Sequence, residues 1–169
     1  MRTHRFRLAA TVASAAVMVL LFAGSALGTP GGNVISAPIL ARAGFDTRVD
    51  VKVKFARDGH MVVSNAPESG DVVVQEVTIG PGGTTGWHSH PGPVVVLVKQ
   101  GTLTYVRADG GECISTPYPA GTAFVDPGQG HAHTAFNFGT DDLVLIATYF
   151  DVPVGGSPRI DVPVVPDAC

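Results

Sequence analysis

Apolar and polar positions alternate in short runs along most of this chain. Between Val49 and Phe55, Val49, Val51, Val53 and Phe55 fall on one face and Asp50, Lys52 and Lys54 on the other. That is the period-two signature of a half-buried strand. Further strands are predicted over Asp71–Ile79, Trp87–His90, Val94–Lys99, Thr102–Arg107, around Cys113, and over Thr122–Val125, His131–Phe138 and Leu143–Phe150. Turn signals separate them: Arg57-Asp58-Gly59-His60, Pro81-Gly82-Gly83, Gln100-Gly101, Asp109-Gly110-Gly111, Tyr118–Gly121, Pro127-Gly128-Gln129-Gly130 and Gly139-Thr140-Asp141-Asp142. About nine or ten short strands at even spacing, with no helical periodicity, predict an all-β sandwich or barrel.

The two ends depart from this pattern. Arg2, His4, Arg5 and Arg7 precede an uncharged run over Leu8–Ala23, and Ala26-Leu27-Gly28 offers small residues for cleavage. Residues 1–28 therefore read as a secretory signal peptide, which places the mature protein outside the cell or in the cell envelope. The alternative is an uncleaved anchor, the one route by which a membrane enters the picture. Residues 29–45 form an N-terminal lead, flexible over 29–37, with Ile39–Ala43 as a short strand or turn across the outside of the barrel. The barrel itself is expected over 46–152, and the Pro-rich tail over 153–169 lies extended along the surface.

Composition sharpens the picture only a little. Apolar residues make up 45% and charged residues 15%, with 21 Gly and 13 Pro, as suits buried β structure with many turns. Cleavage would remove three of 11 basic residues and none of the 14 acidic ones, making the chain more acidic than its formal −3. Nucleic acid is not an expected partner. Cys113 and Cys169 are the only cysteines. In an exported protein they invite a bridge that ties the tail to the body, worth about 3–4 kcal/mol. The alternative is a buried Cys113 and a free Cys169.

Candidate chemistry lies in the histidines. His88 and His90 share one face of a strand, as do His131 and His133, and each pair follows a Gly-rich breaker. Imidazoles converging from two strands suit Fe, Zn, Mn, Ni or Cu without choosing among them. His60 reads as an exposed turn residue.

These residues resemble the cupin superfamily of small jelly-roll barrels. Its first motif, G-x5-HxH-x3–4-E-x6-G, is matched by Gly82, His88-Ser89-His90 and Gly101, with Val94 where the glutamate belongs. Its second, G-x5-PxG-x2-H-x3-N, is matched by Gly121, Pro127, Gly130, His133 and Asn137, with one extra residue before Gly130. The resemblance covers roughly residues 46–152. It implies a single-domain cupin-type jelly-roll β-barrel in which His88, His90 and His133 ligate a divalent transition metal, as in cupins that use three histidines.

His131 and Glu76 are the candidates for a fourth ligand or acid/base. Strand parity puts Val94 and Val96 around the metal, with Asn137 on the face of His133 and Tyr105 at the mouth, so the pocket is small and apolar. The apolar face of Phe136, Phe138 and Leu143–Phe150 predicts sheet packing or a homodimer interface. Two functions follow from the resemblance: an exported metal-binding module that takes up a small molecule, or a metal-dependent enzyme such as a three-His Fe(II) dioxygenase acting on a small chelating substrate. No catalytic residue can be assigned from the sequence.

Overall fold

The computed structural model describes residues 31–169, so the leader expected over 1–28 lies outside the described residues. Thirteen strands and no helix occur among the described residues. The lead forms two of them, β1 (Gly32–Ser36) and β2 (Ile39–Ala43), both antiparallel to the long β5 (Asp71–Thr84). For the part of 29–37 that lies among the described residues, this corrects the expectation of a flexible segment. The edge of β5 would otherwise present unpaired N–H and C=O groups, and the lead supplies their partners.

Strands β3 (Val51–Arg57) and β4 (His60–Ala66) make a separate hairpin. Asp58 and Gly59 turn it at φ of 49° and 78°, the left-handed backbone that a two-residue hairpin turn needs. Polar Ser64 and Asn65 hid β4 from the alternation pattern. The Ser64 hydroxyl donates to the Pro127 carbonyl at 2.8 Å, and the Arg57 guanidinium donates to that of Val125 at 2.7 Å. The hairpin thus clamps the loop that carries the second histidine pair.

β5 runs on through Pro81-Gly82-Gly83, where the sequence predicts a break. Gly82 turns at φ 70°, and its N–H donates to the Asn137 carbonyl at 2.9 Å, while Asn137 N–H donates back to Gly83 at 2.9 Å. These bonds keep the chain in the sheet across the proline.

The remaining elements are β6 (His88–Ser89), β7 (Val94–Gln100), β8 (Thr102–Asp109), β9 (Glu112–Pro119), β10 (Ala123–Asp126), β11 (His133–Phe136), β12 (Leu143–Val152) and β13 (Ile160–Asp161). They join β1, β2 and β5 in an eleven-stranded antiparallel sheet along the path β10-β7-β12-β5-β11-β6-β13, with β8 linking β11 to β9. The sheet curls into a jelly-roll barrel. Its core holds Val73, Ile79, Val94, Leu103, Leu143 and Leu145, all buried. Each is an every-other residue of its strand, so burial follows directly from the period-two pattern. Phe136 and Phe138 stack at 5.2 Å outside this core, with Phe138 70% exposed.

The tail is more than an extended surface segment. β13 pairs with β6, setting Ile160 opposite Ser89 and Asp161 opposite His88, and Val162 N–H donates to the Trp87 carbonyl at 3.1 Å. Cys169 is disulfide-bonded to Cys113 of β9. The bridge spans a sequence separation of 56. Loop closure of that size restricts the unfolded chain by about 3–4 kcal/mol. Replacing both cysteines with serine should lower the free energy of unfolding by that amount in urea titrations. An unchanged transition would show that β13 alone holds the tail.

Candidate metal centre

Pairing of β11 with β6 sets His133 directly opposite His88. Together with His90, they form a buried cluster whose candidate ligand atoms all lie within 4.8 Å of one another. The ring centroids of His88 and His133 are 4.3 Å apart, and His90 lies 4.9 Å and 5.1 Å from them. Two loops bring this about. Gln129 N–H donates to the His90 carbonyl at 2.7 Å, and a Cβ on Gly128 would meet the Gly92 carbonyl oxygen at 1.9 Å. Only glycine allows that approach, so Gly128 locks the second histidine loop against the first.

Each ring is oriented from behind. His88 Nδ1 faces the Gly86 carbonyl at 2.8 Å, His90 Nδ1 the Pro158 carbonyl at 2.7 Å, and His133 Nδ1 the His131 carbonyl at 3.3 Å. A carbonyl can only accept, so each Nδ1 carries the proton and each Nε2 keeps its lone pair. Three Nε2 lone pairs on one buried cluster are a donor set suited to a divalent cation.

Electrostatics agree with neutral rings. Burial, helped by repulsion from His133, pushes His90 down to about 4. Burial also lowers His88, reinforced by His133 and His90, and lowers His133 against the pull of Asp126. Burial pushes Tyr149 up to about 12 and raises Tyr105 further, the latter helped by the adjacent Asp126 carboxylate.

Around the cluster lies an inner cavity of about 60 Å³. Val94, Val96 and Tyr105 line it, with Ala135 and Tyr149. His88, His90 and Tyr149 also border a larger outer cleft of about 860 Å³, closed on one side by Ser157, Pro158 and Arg159 of the tail. The inner space holds a few atoms, and the outer one a small molecule.

Three expected site residues lie elsewhere. Glu76 points outward and pairs with Lys99 at 2.9 Å. Its neighbour Gln75 takes the inward position, accepting from the Tyr149 hydroxyl at 3.1 Å. A strand offers only one inward side chain of the two. His131 is exposed, because positive φ at Gly128, Gln129 and Gly130 coils the chain and β11 begins only at His133. Parity does not carry across that coil. Asn137 is buried but does not line the cavity. Its amide donates to the Ile79 and Asp141 carbonyls, both at 2.8 Å, and accepts from Gly139 N–H at 3.0 Å, fixing backbone. Tyr105 is a buried wall residue stacked at 5.0 Å on the His133 ring, not a mouth residue.

Asp126, Tyr149 and Arg159 complete the surroundings and escaped the sequence reading. Asp126 shares the parity of Phe124 on β10 and so was findable as an inward carboxylate. Tyr149 shares that of Leu145 and Ala147 on β12. Arg159 had no local signal, since only the folding back of the tail brings it here.

Residues 75–149 match the Cupin_2 family, a cupin domain. No curated protein matches the chain. Among solved structures, it is similar to a conserved protein with a double-stranded β-helix domain from Klebsiella pneumoniae, at 26% identity and a TM-score of 0.40, covering 46% of this chain and 64% of that one. It is similar to an oxalate oxidase at 28% identity and TM-score 0.47, covering 54% and 46%. It is also similar to Bacillus subtilis oxalate decarboxylase, which carries Mn(II) centres, at 22% identity and TM-score 0.46, covering 54% and 24%. The chain spans less than two thirds of the length of each. The domain match lies over the strands that carry the histidine cluster, and residues 75–149 of this chain form a cupin domain.

Proposed function

We propose that this protein binds one divalent transition metal through His88, His90 and His133 and holds a small molecule in the cleft outside it. The observation that carries the reading is the common orientation of the three rings. The Nδ1 atoms of His88 and His90 each face a backbone carbonyl, and that of His133 faces the His131 carbonyl and the Asp126 carboxylate, both at 3.3 Å, which leaves three Nε2 lone pairs for a cation in a buried space. A bound metal would supply a Lewis acid with open positions, since three ligands leave it coordinatively unsaturated. The chain's own residues then do the selecting. The inner cavity admits a group of a few atoms toward the histidines, and Val94, Val96 and Ala135 keep it apolar. Tyr149, Thr85 and Arg159 offer polar contacts to the remainder of a ligand in the outer cleft.

Export is part of the same proposal. The basic start and apolar run of residues 1–28 support it, and a disulfide suits an oxidising compartment. The sequenced N-terminus of the protein recovered from the exported fraction should lie near residue 29.

Purified protein should bind Co(II) at one per chain. His133→Ala should weaken that binding more than tenfold, whereas Glu76→Gln and His131→Ala should leave it within about threefold, since neither side chain reaches the cluster. Equal losses in all three variants would show that the cation sits elsewhere.

The metal-free protein should also be acid-sensitive. A histidine whose folded value lies below its unfolded one near 6.5 adds stability that is complete above 6.5 and lost as pH falls toward the folded value. For His90 that window runs from about 6.5 to about 4. Between pH 7.5 and 4.5 its share of the loss is roughly 2–3 kcal/mol. Urea unfolding at the two pH values should show this loss, and His90→Asn should reduce it. A midpoint that does not fall on acidification would mean the rings are not held neutral.

A further inference from the structure

Two carboxylates are buried among the described residues, Asp71 and Asp126. Asp71 has the usual compensation: Arg42 pairs with it at 3.0 Å, and Gly155 N–H donates to it at 3.1 Å. Asp126, 1% exposed, has no Lys or Arg partner among the described residues. Its Oδ1 accepts from Gly128 N–H at 2.8 Å, its Oδ2 accepts from the Tyr105 hydroxyl, and that same Oδ2 lies 3.3 Å from His133 Nδ1. The guanidinium of Arg57 lies over the Tyr105 ring and donates to the Val125 carbonyl, not to this carboxylate. A buried charge without a counter-charge is costly. Three neutral imidazoles around a dication would have the opposite problem, an excess of positive charge in a dry barrel. The two imbalances sit on either side of one ring, that of His133, and each offsets the other.

The register makes the juxtaposition pointed. On the β10–β7 pair, Asp126 lies directly opposite Val94. Directly opposed residues of an antiparallel pair point to the same face. A carboxylate therefore stands across from the motif position where this chain has an apolar residue, close enough to contact a ligand ring.

We propose that Asp126 is the anionic member of this metal centre: a positioning residue that acts through the His133 ring, orienting it and balancing the charge of a bound dication in place of a carboxylate at position 94. This rests on the metal-binding reading above, and the test separates the two. Co(II) titration of the wild-type protein examines that reading alone; absence of binding removes both. If the wild type binds, Asp126→Asn should lower Co(II) affinity about 10- to 100-fold at unchanged stoichiometry, the range seen when a carboxylate behind a ligating histidine is lost.

Restoring the charge from the opposite strand, in the Val94→Glu/Asp126→Asn double variant, should recover affinity, which a purely structural Asp126 would not allow. Affinity of Asp126→Asn within about threefold of wild type, or no recovery in the double variant, would overturn the proposal while leaving metal binding intact. Should Asp126→Asn fail to fold, the zinc-loaded wild type decides by NMR. The His133 Nδ1 proton should then resonate downfield of those of His88 and His90, and coincidence of the three would exclude a special partner for His133.

Discussion

The pairing of His133 with His88 across β11 and β6 is the contact on which the centre depends. It joins residues 45 positions apart in the sequence, and everything near it serves to hold that register. Gly128 lets the second loop press against Gly92, Gln129 donates to the carbonyl of His90, and the β3–β4 hairpin clamps the same loop through Ser64 and Arg57. A slip of one residue would turn His88 or His133 out of the barrel, because strand side chains alternate. The glycines and prolines around the motifs thus work as geometric constraints on a register.

Burial then shapes the chemistry. Imidazoles in contact with water near neutral pH hold a mixture of protonation states. Inside this barrel, desolvation favours the neutral ring, and a carbonyl behind each Nδ1 fixes which nitrogen carries the proton. The same dryness makes charge balance matter. Asp71 has Arg42 beside it, whereas Asp126 faces only a hydroxyl, an amide and an imidazole. The barrel wall is therefore electrically incomplete on the side of His133, and that asymmetry gives the site its character.

The tail shows how remote chain becomes part of a site. Residues 157–159 border the outer cleft, the Pro158 carbonyl orients His90, and β13 runs beside β6. The bridge from Cys169 to Cys113 restrains this segment at its far end. A stretch that looks like surface trim thus forms one wall of the cleft and the support of one of the three rings.

Much of this was legible in the residues. Alternation over Val49–Phe55 and along β7, β8 and β12 determined an all-β fold, since period two buries one face, and the two His-x-His pairs marked where chemistry lies. Parity failed where the backbone left the strand conformation: His131 sits in a coil of three left-handed residues, and β5 passes through Pro81 because Asn137 supplies the missing bonds. Glu76 and Gln75 could not be assigned to faces without knowing the register of β5. Asp126 lay in plain view before Pro127, but its meaning depends on what stands across from it and on the lack of a basic neighbour. The sequence by itself determined which residues could face inward, because that follows from local periodicity. Only the tertiary structure decided which of them meet and which charges lack partners, because these depend on register, loop closure and burial between segments far apart in the chain.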